Sequence, residues 1–569
     1  MVDVKELWKK YDSIVAYNNN FRPNKNYYES IKVWNDFYNG DQWGGATAEQ
    51  HLPQMVFNII KRIVEFKIAS LTSSEISVNV EPLEYNPTSV DENGKEIISV
   101  SDFVNAEIKN VFEKWNMRAR KKDVLLDGAI TGDMCFHVIF NMNKQPYRGK
   151  APNVKGEMEL ELIDATNIGF GNANIKDVQK QPYIVIVGRD TVKNLREEAK
   201  NKKELIKEDN ETNYQVSDFA NTEVEINGDN EGKALYIYVY EKKGDKVFVS
   251  KCTKDAIIYE NIDTGLSRYP IAFANWYKQK GTYHGRGEIE GICPNQIAIN
   301  KMFSMIVYHQ MMTAFPTAVY DADIIKNWSN KIGTAFGLRG LNGRSIKEVA
   351  GYLNPANMSE YIIKVIDLAF QYTKECLGVS DASLGQIDPK NTSAIIAVQK
   401  STSVPLENIK DNLYDLFEQT VLIMLDMMSA KYGERPVVIS KEDGTRVINP
   451  FNFEQLKGLD LKTSVDVGET TYYSEIASIQ TLDNLLQNQY IEFIDYLERM
   501  PKEMIPRKAE LVTKLKENQQ QIFNKDFMYE MMAQFLEQLP PEKQAQIKSL
   551  PPEQMEKTLM KMMMGGVRV

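Results

Sequence analysis

Four histidines, His51, His137, His284 and His309, and four cysteines, Cys135, Cys252, Cys293 and Cys376, are the chain's whole supply of imidazole and thiol. A structural metal site needs such ligands clustered at short, regular spacings. Only Cys135 and His137 come close, in TGDMCFHVIF, and the alternation there reads as a strand. The expectation is four buried thiols in a reducing compartment and no metal. Phosphate-cradling chemistry would need G-x-x-x-x-G-K-[ST], but Gly94-Lys95, Gly149-Lys150 and Gly232-Lys233 are followed by Glu or Ala. Gly285-Arg286-Gly287 with Gly291 has the spacing G-x-G-x-x-x-G, and the next stretch is helical, with no second strand to bring an acidic residue to a ribose. G-x-S-x-G and H-E-x-x-H are absent. Carboxylate pairs such as Asp321/Asp323 are ordinary on an acidic surface. No catalytic set and no cofactor site emerge.

With no chemistry of its own in view, the chain must act through its shape. It has 569 residues, 43% hydrophobic and 26% charged, values typical of a folded chain with several domains or subdomains. Asp and Glu number 78 against 68 Lys and Arg, a net charge of −10. A protein built to grip DNA phosphates tightly would normally be basic, so tight binding is disfavoured, although DNA passing by is not. The N-terminal MVDVKELWKKYDSIV is charged and amphipathic, unlike a secretory signal.

Spacing predicts helices over 27–43, over 53–71 (Val56, Ile59, Ile60, Ile63, Val64 and Ile68 inward; Lys61, Arg62, Glu65 and Lys67 outward) and from Ser101, a plausible N-cap. That helix is expected to break near Arg118, Arg120, Lys121 and Lys122. ISVNVEP, CFHVIFNM, EMELELIDA, QPYIVIVGR, ALYIYVYEKK and DKVFVSKC read as strands, giving a mostly antiparallel sheet region over 133–275. Then the pattern changes. A glycine turn runs into a long helix with Ile292, Ile299, Met302, Phe303 and Ile306 in its stripe. About 40 Gly-rich residues follow, and then a second helix with Ile362, Val365, Ile366, Ala369, Tyr372 and Cys376 on one side. The uncharged run Met302–Tyr320 is broken by Pro316 and carries His309 and Gln310, so it reads as a buried or ring-interface helix, with no membrane span. A helix over 394–432 is expected to kink or restart at Pro405. Short strands lie in 435–470. From Ser474 the chain reads as helical, with a stripe of Ile476, Ile479, Leu482, Leu485 and Leu486 and a fraying Met-rich tail (Met555, Met560, Met562, Met563, Met564). The fold class is α+β.

The order of these pieces resembles the portal proteins of tailed bacteriophages. FYNGDQW (37–43), PQMVFNIIKRIVEFKIASL (53–71) and a strand ending at Pro82 are similar to that family's opening. VLLDGAITGDMCFHVIF (124–140) resembles its helix–Gly–strand element. YPIAFANWYKQKGTYHGRGEIEGICPNQIAINKMFSMI (269–306) resembles the approach to its stem. LGVSDASLGQIDPKNTSAIIAVQKS (377–401) resembles the loop and helix after it. The resemblance covers most of 27–470, and the tail lies beyond it.

The resemblance implies a wing (1–285 and 395–470), a stem (286–314 and 357–376), a clip (315–356), a channel loop (377–394) and a helical crown (471–569). These would assemble as a ring of about twelve copies at one capsid vertex of the virion, after synthesis in the host bacterial cytoplasm. Double-stranded DNA would pass through without sequence preference. The terminase large subunit and then a head–tail adaptor would dock at the clip, and major capsid and scaffolding proteins would surround the ring.

The implied channel loop holds Asp381, Ser383, Gln386, Asp388, Lys390 and Asn391, mostly neutral or acidic, so a passing duplex would be touched weakly. In the clip, Lys326, Lys331, Arg339, Arg344 and Lys347 outnumber Asp321, Asp323 and Glu348 and would face the motor or the DNA. Ile299, Met302, Ile306, Ile362 and Ile366 are the expected ring contacts of the stem. The competing readings are another connector or minor capsid protein, a packaging ATPase (disfavoured without a P-loop) and a membrane pore.

Overall fold

The computed structural model describes residues 3–22, 26–43, 52–72, 76–82, 99–146, 154–199, 203–208, 232–314, 317–329, 337–353, 359, 361–376, 378, 392–440, 446–457, 461–467, 472–500 and, beyond these, 511–516, 531–534 and isolated positions. The chain divides into two compact units, Met1–Gly468 and Glu469–Val569.

The first unit opens with α1 (Val4–Asn19), where the Asp3 carboxylate accepts from the Lys5 backbone N–H at 3.2 Å. Asn26 caps α2 (Tyr27–Asn39), and Gly40 closes it at φ 100°. In α3 (Ile59–Thr72) Ile60, Ile63 and Val64 of the expected stripe are buried and Ile59 and Ile68 half-buried, Leu71 is buried as well, and Val56 precedes the helix and is exposed. Lys67, expected in solvent, is buried, because its ammonium pairs with Glu288 at 2.8 Å. After β1 (Ile76–Pro82), α4 (Val100–Lys114) starts at Ser99 and not Ser101, since a reciprocal Ser99–Asp102 capping box satisfies both N-terminal donors. The break falls at Asn116 (φ 50°), so the basic cluster lies inside α5 (Met117–Thr131).

Two antiparallel sheets follow. The first has the order β3-β2-β9, with β2 (Asp133–Asn141), β3 (Glu157–Leu162) and β9 (Ile271–Asn275). The second is a meander of β4 (Ile168–Phe170), β5 (Tyr183–Thr191), β6 (Lys233–Lys243), β7 (Lys246–Thr253) and β8 (Ile257–Asp263), with α6 (Val192–Glu198) after β5. Leu7, Tyr11 and Ile14 of α1 pack on Val185, Leu235 and Ile237 of this meander.

The hairpin-like excursion consists of α7 (Glu288–Ala314), β10 (Thr317–Tyr320), α8 (Ile346–Val349), β11 (Ala350–Leu353) and α9 (Tyr361–Cys376). The uncharged run therefore leaves its helix at Ala314 and continues as β10. No helix among the described residues is long and apolar enough to cross a membrane. Next, α10 (Thr392–Lys431) runs unbroken through Pro405. Its Ile409, Leu413, Leu416, Phe417, Val421 and Met424 are fully buried, and Phe417 meets Phe112 and Phe136 edge-on at 6.2 and 6.3 Å. This packing against α4 and β2 holds α10 in one piece despite the proline. Then β12 (Glu434–Ser440) and β13 (Arg446–Asn452) form a hairpin, and β14 (Leu461–Val467) returns to pair with β1, from Ile76↔Val467 to Pro82↔Leu461. In the second unit, Tyr496 of α12 (Phe493–Arg499) donates to Asp483 of α11 (Tyr472–Gln487) at 2.6 Å. Ile479, Leu482, Leu485 and Leu486 of the expected stripe are half-buried there.

Candidate functional site

The two helices of the excursion lie side by side. Asn295 Nδ2 donates to Thr373 Oγ1 at 3.3 Å, and Phe303 meets Phe370 edge-on at 6.0 Å, so the chain runs up α7 and down α9. At its far end β10 and β11 pair antiparallel, from Thr317↔Leu353 to Tyr320↔Ala350. Trp328 stacks on Tyr320 at 5.4 Å and meets Tyr352 edge-on, while Ile325 and Val349 supply the small buried centre of this tip. The α8 turn is held by a Ser345–Glu348 capping box.

The lower half of α7 is sunk into the first unit by polar side chains. Gln296 accepts from the Ile59 N–H at 3.1 Å and donates to Phe57 O at 2.6 Å. Asn300 accepts from the Phe57 N–H at 3.3 Å and donates to Gln42 Oε1 at 2.7 Å. The start of α3, where Asn58 Oδ1 accepts from the Lys61 N–H at 3.0 Å, is thus also held by amides more than 230 residues away in sequence. The upper half is different. Met305, Tyr308, Met311 and Met312 are exposed, and so are Tyr361, Ile363, Val365, Leu368 and Tyr372 of α9; Tyr361 is 73% exposed. Large apolar side chains exposed together on two packed helices are the kind of surface an interaction site uses.

Of the five apolar residues expected to make ring contacts, Ile299 and Ile366 are buried within the chain, and Met302, Ile306 and Ile362 are half-buried. Of the clip cations, Lys326, Arg339, Arg344 and Lys347 are exposed, Arg344 lies 3.5 Å from Asp321, and Lys331 falls outside the described residues. All six channel-loop residues, Asp381, Ser383, Gln386, Asp388, Lys390 and Asn391, fall outside them too.

The glycines near Arg286 serve packing. A Cβ on Gly285 would stand 2.2 Å from the Gly132 carbonyl oxygen, and one on Gly287 would stand 2.7 Å from the carbonyls of Ala129 and Ile130. This close approach locks the root of α7 onto the α5–β2 turn. Beneath it, Asp133 accepts from Asn275 Nδ2 (2.7 Å), the Gly285 N–H (2.6 Å) and the Tyr27 hydroxyl (2.9 Å), and it faces His284 Nδ1 at 2.7 Å. Asp133 and His284 are buried from solvent, so this His–Asp pair ties together the elements packed around it. Burial and the neighbouring Asp133 carboxylate push the Tyr27 hydroxyl far up. Glu288 receives Lys67, Trp276 Nε1 (3.0 Å) and the Tyr277 hydroxyl (3.1 Å).

His137 is buried and bonded to the Tyr240 hydroxyl at 2.9 Å, and no group of the described residues could hold a metal ion. Burial raises the Cys135 thiol and lifts that of Cys252 to about 12. Contrary to expectation, Cys293 is only half-buried and Cys376, at the C-terminal end of α9, is exposed among the described residues.

Against known proteins, a family model described as phage P22-like portal protein matches residues 134–566, about three quarters of the chain. The match excludes the N-terminal pieces at 27–71 and extends through the C-terminal region to residue 566, taking in most of the Met-rich tail that lay beyond the sequence resemblance. No curated protein matches the chain.

Proposed function

The chain belongs to the phage P22-like portal protein family, the structural DNA conduit of the head–tail connector, and from that premise we propose how its parts divide the work. Residues 286–314 and 357–376 form the stem, 315–356 the clip, 377–394 the channel loop, 1–285 and 395–470 the wing, and 471–569 the crown. Copies close into a ring, about twelve of them, by burying the outward apolar faces of α7 and α9 against one another. The observation that carries this reading is the set of large apolar side chains on the upper stem left uncovered within one chain. Fully burying each contributes about 1.5–3 kcal/mol. Such residues are affordable on a soluble surface only if a neighbour covers them. The contacts fall on Met305, Met311, Ile363, Val365 and Leu368 in preference to Ile299 and Ile366, which the chain already covers.

DNA passing the bore meets the neutral and acidic loop of Asp381, Ser383, Gln386, Asp388, Lys390 and Asn391, which supports low friction. The exposed clip cations Lys326, Arg339, Arg344 and Lys347, together with Lys331, offer charge to the terminase large subunit and later to the adaptor. Major capsid and scaffolding proteins surround the ring at one vertex, assembled in the bacterial cytoplasm.

Electron microscopy of the purified full-length protein tests the reading. Rings with a central hole are expected, and a discrete monomer both in solution and in capsids would overturn it.

A further inference from the structure

Beside the root of α7 the surface opens into a cleft of about 490 Å³. Its walls carry Arg22, Lys278, Lys280 and Arg286 against a single carboxylate, Glu290, with Tyr277 and Gln279 between them. The chain as a whole has a charge of −10, so this is a local reversal of sign. We propose that the cleft is a binding site for the backbone phosphates of double-stranded DNA. The proposal rests on the portal reading for its ligand, but the site itself lies within one chain.

The cleft is prearranged. Arg22 is held between Glu290 Oε1 at 2.5 Å and Gln279 Oε1 at 3.0 Å. Arg286 Nε lies 3.4 Å from the other Glu290 oxygen, and half of its side chain remains exposed. Paired backbone bonds between Tyr277 and Arg286 (2.9 and 3.2 Å) fix the two sides of the turn. Lys176 donates to the Gln279 carbonyl and adds a further cation at the rim. Lys278 and Lys280 are exposed, and neither forms an ion pair among the described residues. Glu290 therefore balances the inner faces of the two arginines, and the outer face of Arg286 and the lysines stay unbalanced.

These remaining groups are mostly ammonium point charges on flexible stems. They do not form a rigid fork for one carboxylate. They suit a row of separate single charges read without sequence preference, which is what a phosphodiester backbone presents. Position agrees. The Asn295–Thr373 bond sets the root of α7 beside the end of α9, where the chain leaves for the proposed channel loop. Glu290 lies about 7.5 Å along the helix from Asn295, at 1.5 Å per residue. The cleft and the C-terminal end of α9 thus lie at one level. Phosphate contacts add friction, so the site suits DNA held at rest after packaging.

The test uses the full-length protein and a 30-base-pair duplex, with binding followed by fluorescence anisotropy between 50 and 200 mM salt. The variant K278Q/K280Q/R286Q is compared with K5Q/K457Q/K462Q, which removes the same charge from exposed sites elsewhere. Each lost phosphate contact lowers the slope of log K against log salt by about 0.9. The cleft variant should therefore lower the slope by about 2–3 and weaken binding at 100 mM at least about tenfold, with the control close to wild type. An unchanged slope, equal losses in both variants, or no binding by the wild type at 50 mM would overturn the proposal. So would rings that fall apart in the cleft variant with DNA binding intact, since the cleft would then hold an acidic face of a neighbouring protein. If electron microscopy shows no rings, the portal architecture proposed above fails separately, and the slope comparison on the single chain still decides the cleft.

Discussion

The two halves of α7 invert the usual relation between side chain and solvent. In the lower half, Glu288, Gln296, Asn300 and Ser304 are buried. In the upper half, Met305, Tyr308, Met311 and Met312 are exposed. Below, every buried amide named above has its partner, so the helix is fixed in place by directional bonds whose loss would leave orphaned groups. Above, apolar surface is bare and non-directional, which suits contact with another copy of the same surface. One continuous helix is thus an anchored root and, in the proposed ring, the face a neighbour covers, and the two halves should respond differently to substitution.

The root should break hardest. Lys67→Met removes the ammonium that neutralises Glu288 and leaves the carboxylate buried with only Trp276 and Tyr277 as donors. Stability in urea should fall by about 3–5 kcal/mol, the usual cost of an unpaired buried charge. The double variant K67M/E288Q should recover much of it. A loss no larger in K67M than in an exposed Lys→Met control would show that the root is not held by this pair.

A carboxylate without so close a counter-ion sharpens the contrast. Glu107 of α4 is buried, and that burial lifts its carboxyl to about 7, against the opposing pull of Lys114 and Asn110. In the unfolded chain it titrates near ~4.3. Between those values the folded protein retains a proton that the unfolded chain has released. Stability therefore falls as pH rises through this window and levels off above 7. Glu107→Gln should match wild type near pH 4 and exceed it by about 1–3 kcal/mol at pH 8, as read by urea unfolding across pH. Parallel curves would remove Glu107 as the titrating group.

Legibility in the sequence follows the same division. The strands β5, β6 and β7 and most of the stripe in α3 were readable from local pattern, but not that β5 is packed on both faces, with Ile184 and Ile186 in one core cluster and Val185 and Val187 in another. The helix–excursion–helix order was readable because its composition changes abruptly. Partnerships across long distances in sequence were not. Nothing near Lys67 points to Glu288, nothing near Ile59 points to Gln296, and the pairing of β1 with β14 spans almost the whole first unit. Of the expected ring contacts, Ile299 and Ile366 are already covered by the chain itself, since a stripe of apolar residues does not reveal whether the chain's own body or a second copy will cover it. The basic cleft was invisible for a related reason. Arg22 is far in sequence from Lys278, Lys280 and Arg286, and only the fold makes them one patch.

The smallest expected effect on the chain's own stability lies at the upper stem, and it is the one that decides what that surface is for. Met311→Ser, Ile363→Ser and Leu368→Ser replace side chains that are exposed and pack on little in the single chain. Surface changes of this kind typically alter stability by no more than about 0.5 kcal/mol each. In the proposed ring the same side chains would be buried, and truncating a residue at the centre of an interface costs about 1–2 kcal/mol or more at every junction. The triple variant should therefore unfold in urea like wild type when both are held as single chains at low concentration, yet fail to form rings by mass photometry where wild type does. A clear loss of stability in the single chain would mean that these residues are packed within it. Intact rings would move the contact to another face and leave the apolar stem without a purpose.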